Sequence, residues 1–402
     1  MRRLMPAAFG VIFAMVPLLP SFIALTGVDF PGFSLIPRGI VLAVLAICAL
    51  LAVYALVMLV RFPERGAQPL FLPLLALCGA GLLAGCLGFN PSAGFLFTGI
   101  GGFGIIWQSA VMRFYSDRYA ANAIYYAYLS SGGLAAVAAI VMVATRFPPA
   151  QFAIAHGRAT GTFILPGELA GYLIVLLPIA YALGSIGSAR ALRIVAWSAF
   201  AAGLVALTLT YSRAGWMGFA AACAFLLAVR TRRGLAGAAL IVLGGIVAVV
   251  VLFNAHHDPS EDYTRLSIWQ AALQVADRFP LTGVGPFNFS RLYAVVRAPD
   301  ADPTAFHAHS LYLTFFVEIG VVGLAAFAWT IARFAVELRR RVSTSASAEA
   351  LLSLSIAAGL VGVAVQGLID TVSVVLFGVW MPMMALALAA ARGGVPSPTI
   401  DG

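Results

Sequence analysis

The chain has 402 residues, of which 62% are hydrophobic and 10% are charged. Soluble globular proteins carry about 25% charged residues, so the composition excludes a soluble enzyme and predicts a polytopic membrane protein. The formal net charge of +9 comes from 24 arginines with no lysine, scattered between apolar runs. This distribution is typical of membrane topology and argues against a nucleic-acid partner.

Apolar runs recur along the whole chain, each about as long as a helix that crosses the hydrocarbon core. The backbone polar groups of such runs must be paired internally, so we expect an all-α polytopic membrane protein. About twelve transmembrane helices are predicted, near residues 5–26, 39–60, 69–88, 94–112, 121–144, 162–184, 191–210, 214–229, 234–253, 308–332, 351–371 and 374–391.

The arginines predict the orientation of these spans. One set of alternate loops holds 16 of the 24 arginines and the other set holds 8. The positive-inside rule places the richer set, with both termini, in the cytoplasm. The predicted domains are then an N-terminal bundle of about nine spans (1–253), one long outer loop (254–307), C-terminal spans (308–392) and a cytoplasmic tail (393–402).

The long outer loop contains a predicted amphipathic helix. Ser260–Asp262 is typical of a helix start, because acids near the positive end of the helix dipole are favourable. Leu266, Trp269, Leu273 and Ala276 recur at helical spacing, which indicates a helix lying at the membrane surface. Phe279-Pro280 and the glycine-rich segment 283–286 then end it.

Arginines near the outer boundary are candidates for phosphate binding. Arg213 lies in a predicted turn of about three residues between two spans, and Arg265 opens the predicted surface helix. A guanidinium fork matches phosphate oxygens and stays charged at working pH. The alternatives are an interfacial anchor at Arg213 and a surface charge at Arg265. Arg158, near His156, is a third candidate.

His309 is the candidate general base, because it begins a predicted span and an imidazole titrates near neutral pH. The alternative is a boundary histidine bonded to a backbone carbonyl. His307 and Glu168 are secondary candidates. Glu318, nine residues into the span and about 180° around the helix from His309, is expected to be a structural partner within the bundle.

Metal ligands and cofactors are not predicted. The adjacent His256 and His257 lie in a polar stretch typical of solvated histidines, and the outer loops have no Asp-x-Asp pair that would hold Mg²⁺ beside a diphosphate. The cysteines lie inside apolar runs without metal-ligand spacing. Arginine would therefore have to neutralise any phosphate leaving group.

Several segments, in order, resemble the O-antigen ligase family. Arg265–Ala272 followed by Pro280–Phe289 is similar to its large loop, and His309–Leu313 running on to Glu318–Leu324 is similar to the end of that loop. Tyr211–Trp216 resembles the family's Ser-Arg-x-Gly-Trp turn. Gly161–Phe163 with Glu168–Tyr172 resembles its middle loop. Together these segments cover about 150 to 180 residues, in the same order as in the family.

This resemblance implies a glycosyltransferase in the bacterial inner membrane, with its active site on the periplasmic side. The donor would be a glycan on undecaprenyl diphosphate and the acceptor lipid A-core or another glycan. His309 would deprotonate the acceptor, while Arg213, Arg265 and Arg158 would bind the diphosphate, without metal and with inversion. O-antigen ligation ranks first. The alternatives are a polysaccharide polymerase of the same family and, from another class, a secondary transporter.

Overall fold

The computed structural model describes residues 2–18, 38–63, 68–230, 234–248, 259–299, 301, 305, 307–370 and 377–391. Within these ranges all regular secondary structure is helical. After a short 3₁₀ turn at Arg2–Leu4, the helices are α1 Met5–Met15, α2 Arg38–Arg61, α3 Phe71–Leu87, α4 Pro91–Phe114, α5 Arg118–Thr145, α6 Pro149–Ile154, α7 Pro166–Ile186, α8 Arg190–Leu209, α9 Arg213–Arg230, α10 Gly234–Ala248, α11 Pro259–Arg278, α12 Phe289–Val296, α13 Leu311–Val342, α14 Ser347–Gln366 and α15 Phe377–Ala390.

The all-α membrane architecture is confirmed. Of the described helices, six (α4, α5, α7, α8, α13 and α14) are long and apolar enough to cross a membrane. Six shorter apolar stretches of 10–17 residues lie in α1, α2, α3, α9, α10 and α15. Each of the twelve predicted spans overlaps one of these helices, while the number of crossings and the domain boundaries stay predictions.

Helix α7 lies at the centre of the bundle. In its most apolar window 83% of the residues are buried, against 33–56% in the other five long helices. It packs against α8, α9 and α14, and its buried Tyr172 contacts the ring of Tyr128 on α5 with centroids 5.5 Å apart. Whatever surrounds the first turn of α7 therefore lies near the middle of one end of the molecule.

That end, which we call the loop end, also holds the first residues of α9 and α13 and the last turn of α14. Gln366 Nε2 of α14 donates to Gly167 O of α7 at 2.8 Å. The backbone N–H of Leu311, the first residue of α13, donates to Gly367 O at 2.8 Å. At the opposite end Arg341, near the close of α13, donates to Leu388 O of α15 at 3.3 Å.

Helix α13 is interrupted at Gly320, whose φ of 64° and ψ of −169° are not helical. An unbroken helix would pair Val321 N–H with Val317 O and Val322 N–H with Glu318 O. Instead, segment 280–285 after α11 takes all four groups. Val317 O and Glu318 O accept N–H groups of residues 284 and 285, both at 2.9 Å, and residues 321 and 322 donate to carbonyls of 280 and 281 at 2.9 and 3.2 Å. We call this exchange the α13 break.

The Glu318 side chain strengthens the same junction. It is 3% exposed, and its carboxylate accepts backbone N–H groups of Phe287 and Phe289, at the start of α12. The expected structural role of Glu318 therefore has a particular partner, which is the backbone of the large loop. A buried carboxylate in an apolar bundle is costly unless such donors satisfy it.

We expect Gly320→Ala to lower the thermal stability of the protein. A φ of 64° with an extended ψ is costly for any residue with a Cβ, by about 1–3 kcal/mol, and a Cβ at this position would overlap the carbonyl of Leu281. The matched control is Gly102→Ala in α4, where no atom lies within 4 Å of the added Cβ. Thermal unfolding in lipid nanodiscs measures both; equal melting temperatures would contradict the α13 break.

Candidate active site

His309 lies just before α13. The helix begins at Leu311 and is capped by Ser310, whose hydroxyl accepts the N–H of Leu313. The expectation that His309 begins the span is therefore wrong by two residues, because a serine hydroxyl satisfies the free N–H groups of the first turn. His309 adopts a left-handed φ of 46°, a conformation in which histidine is enriched. The expected angle of 180° between it and Glu318 consequently does not apply.

The two loop-end histidines form a pair. The backbone N–H of His309 donates to His307 Nδ1 at 3.1 Å, and the ring centroids are 4.4 Å apart in an edge-on arrangement. Because Nδ1 accepts this bond, the neutral ring of His307 carries its proton on Nε2. His307 is thereby arranged to donate a hydrogen bond, which leaves His309 as the better base of the two.

The pKa of His307 is held well below its usual range. Burial is the largest cause and the neighbouring His309 is the next. A backbone hydrogen bond opposes them, and the positive charge of Arg265 adds the smallest effect, in the same direction as burial. Arg265 is therefore close enough to act electrostatically on His307. Such a positive environment favours a bound anion.

Helix α11 positions Arg265. It starts at Pro259, so Arg265 lies in its second turn and the expectation that it opens the helix is wrong; the dipole has little influence there. Ile268 and the buried Ala271, Ala272 and Val275 pack in one cluster with Ala305 and Ala308, which flank His307. From the predicted apolar stripe, Leu266 and Leu273 are 51% and 56% exposed, so a second apolar face of α11 points away from the cluster.

Arg213 is the first residue of α9. Ser212 precedes it and caps the helix, with its hydroxyl accepting Gly215 N–H at 3.0 Å. Arg158 braces this turn from the middle loop: its Nε donates to Thr210 O at 2.9 Å and one Nη to Tyr211 O at 3.5 Å. The structure thus places Arg158 beside the turn that leads into Arg213 and gives it a direct role in holding that turn.

Glu168 belongs to the first turn of α7. It is buried, and its carboxylate accepts the N–H groups of Ile164 and Leu165 at 3.3 and 3.4 Å. These contacts make it a helix cap, a structural role that competes with its proposed use as a base. Asp370 reaches the neighbouring Gly167, where an added Cβ would meet its carboxylate.

Helices α7, α9 and α14 connect the two groups of candidates. A Cβ on Gly215, two residues after Arg213, would lie 2.6 Å from the Ala170 side chain of α7. The last turn of α14 in turn bonds to Gly167 and to Leu311, two residues after His309. The Arg158–Arg213 turn and the Arg265–His307–His309 cluster therefore lie at the same end of the bundle, on neighbouring helices.

Two site features escaped the sequence analysis. Gln366 is fully buried and joins α14 to α7 through a hydrogen bond. The sequence feature that could have indicated this role is an amide side chain in the last turn of an apolar helix. Gly320 could not be distinguished from the other glycines of the chain before its backbone angles were known. His256 and His257 lie outside the described residues. Among those described, no cluster of three or more His, Cys, Asp or Glu side chains could hold a metal ion.

We expect the stability of the wild-type protein to fall below about pH 6.5, the ordinary range of histidine. Since the pKa of His307 is lowered by folding, the unfolded chain binds the proton first, and the loss is at most about 1.4 kcal/mol per pH unit for one proton. His307→Asn keeps an acceptor for the His309 N–H but does not titrate. Melting temperatures from pH 8 to pH 5 should diverge between the two proteins; parallel curves would contradict the buried neutral state.

Comparison with known proteins agrees with the resemblance seen in the sequence. Residues 198–328 match the family model described as O-antigen ligase. This range runs from α8 into α13 and includes Arg213, Arg265 and both histidines of the pair, whereas Arg158 and Glu168 precede it. No curated protein matches the chain. This segment is therefore similar to the O-antigen ligase family, whose members are membrane glycosyltransferase-like ligases and polymerases.

Proposed function

We propose that this protein transfers a glycan from undecaprenyl diphosphate to an acceptor hydroxyl, and that the acceptor is lipid A-core. The reaction would take place on the periplasmic face of the bacterial inner membrane. The observation that carries the proposal is the His307–His309 pair under the charge of Arg265. It combines a base with anion-attracting groups, at the bundle end that also holds the Arg213 turn.

The proposed reaction is a single displacement. The acceptor oxygen attacks the anomeric carbon, its proton passes to His309, and the bond between that carbon and the diphosphate oxygen breaks. The departing diphosphate takes the electron pair of the broken bond, and Arg213 and Arg265 stabilise its charge without a metal ion. One displacement inverts the anomeric centre.

His307 and Arg158 have supporting roles in this scheme. With its proton on Nε2, His307 donates a hydrogen bond to the substrate and fixes the backbone of His309 through Nδ1. Arg158 binds the turn that presents Arg213, and we assign it to diphosphate binding together with Arg213. Glu168, engaged with two backbone N–H groups, remains a secondary candidate for the base.

A polysaccharide polymerase of the same family would use the same groups with a growing glycan as acceptor. The two activities separate in an assay with one purified lipid-linked donor and two acceptors, lipid A-core and a second lipid-linked glycan. Transfer to lipid A-core alone supports ligation. A secondary transporter would be expected to hold its substrate near the membrane midplane, whereas Arg213 and His309 lie at helix starts.

We expect His309→Asn to abolish most of the transfer while donor binding persists. Asparagine tolerates the left-handed backbone of this position and keeps hydrogen-bonding groups, but cannot serve as a base. Loss of the base should lower turnover by about 10²–10⁴-fold, and His309→Gln should be similarly poor.

The matched control is His156→Gln, at an exposed histidine that also has a left-handed φ, of 51°. Initial rates with saturating donor measure turnover, and binding of a labelled donor is measured in parallel. Near-normal turnover in His309→Asn would refute the proposed role, because another residue would then have to be the general base.

We expect Arg213→Lys and Arg265→Lys each to lower the rate although the charge is kept. A lysine is a point charge, whereas a diphosphate favours the planar, bidentate guanidinium, and one charge-assisted hydrogen bond is worth about 1.5–3 kcal/mol, or roughly 10- to 150-fold in rate. Arg291→Lys, an exposed position on α12, is the control and should be mild. Equal effects in all three would indicate a diffuse positive surface.

A further inference from the structure

A second candidate site lies at the opposite end of the bundle from the histidine pair. A cavity of about 320 Å³ opens there between the start of α5, the end of α7, the start of α8 and the start of α14. Small-molecule sites in proteins range from about 300 to 1,000 Å³. The cavity shares no residue with the proposed glycosyltransferase site, so its occupant is not the glycan donor or acceptor of that site.

The inner part of the cavity carries a negative charge and phenol groups. Glu349, in the first turn of α14, has a buried Oε2 that meets no hydrogen-bond partner among the described residues. Tyr115 and Tyr125 share a hydrogen bond of 2.7 Å between their hydroxyls and are buried beside it. Burial raises the pKa of Tyr115 to about 12, and the hydrogen bond with Tyr125 opposes this rise. The charge of Glu349 raises the same pKa further, which indicates that the carboxylate lies near the phenol.

The mouth of the cavity is positive and amphipathic. Arg118 is exposed and stacks on the exposed ring of Tyr119, with its guanidinium carbon 5.0 Å from the ring centroid. Arg193 lies beside the lining residue Gly187: its Cγ is 3.2 Å from the position that a Cβ added to Gly187 would occupy. An exposed tyrosine and arginines at helix starts are typical of the lipid headgroup level.

The remaining walls are mostly apolar, with Asn122 and Ser188 as the other polar lining residues. Leu183, Ile186, Leu192 and Leu352 line the cavity together with small alanines. An isolated carboxylate against such walls is expensive, and a cation held there offsets the cost. A ligand that suits this arrangement has a positive group for Glu349, a negative group for the arginines at the mouth, and apolar parts for the walls.

We propose that this cavity binds the headgroup of an aminophospholipid, with the primary ammonium at Glu349 and the phosphate at Arg118. A primary ammonium has three N–H donors for a carboxylate and a phenol oxygen. A trimethylated headgroup has none, and a glycerol headgroup has no positive charge. The assignment therefore predicts selectivity among lipids that share the same acyl chains.

The experiment is lipid binding to the delipidated, full-length protein in detergent, followed by native mass spectrometry. The probes are phosphatidylethanolamine, phosphatidylcholine and phosphatidylglycerol with identical chains. The wild type should retain phosphatidylethanolamine at least about tenfold more tightly than either other lipid, in line with the loss of one hydrogen bond to a charged group. Equal retention of phosphatidylglycerol would overturn the proposal.

Two variants locate the binding. Glu349→Gln removes the charge, and Ala348→Trp, at an exposed lining position, fills the mouth while keeping Glu349. Both should weaken phosphatidylethanolamine binding about tenfold or more. The control Asp277→Asn makes the same change in net charge on α11 and should bind as the wild type. Unchanged binding in both cavity variants, or full competition by water-soluble phosphoethanolamine at equal concentration, would overturn the lipid assignment.

Discussion

The exchange of backbone hydrogen bonds at Gly320 is the constraint on which the active-site end of the molecule depends. A helix broken inside an apolar bundle leaves N–H and C=O groups without partners, and each costs several kcal/mol in an apolar environment. Here two carbonyls and two N–H groups released by the break are bonded to segment 280–285. That segment begins two residues after α11, so the exchange fixes the end of the helix that carries Arg265.

The buried carboxyl groups and the basic residues have different roles at the loop end. The carboxyl groups of Glu168 and Glu318 both accept backbone N–H groups, which holds these side chains within the scaffold. The arginines and histidines are left to dominate the potential where an anionic carrier would bind. Burial and the nearby positive charge of Arg265 both favour the neutral form of His307, which allows its Nδ1 to accept the backbone N–H of His309.

The two ends of the bundle differ in the chemistry they offer. At the loop end, cationic and imidazole groups gather around helix starts, as suits a diphosphate and a proton transfer. At the other end, one buried carboxylate oxygen faces an apolar cavity with arginine at its mouth, as suits a small zwitterion. Helix α7 joins both, because its first turn lies beside Gln366 and its last turn lines the cavity.

The sequence alone determined the class of the molecule and the positions of its long apolar helices, whereas the residues of its site stay predictions. Apolar runs of span length have few alternatives in lipid, and that is why each predicted span overlaps a helix. The amphipathic helix of the long loop also followed from local signals, with α11 ending at Arg278, just before Phe279-Pro280.

The tertiary structure alone decided how these parts meet. The bracing of the Arg213 turn by Arg158 and the break at Gly320 both depend on partners distant in the chain. Local patterns carry no information on such partners: the bonds at the break join residues more than thirty positions apart, and Arg158 lies 52 residues from Thr210. Sequence periodicity reports which face of a helix is apolar, whereas only the packed structure sets which backbone groups exchange hydrogen bonds.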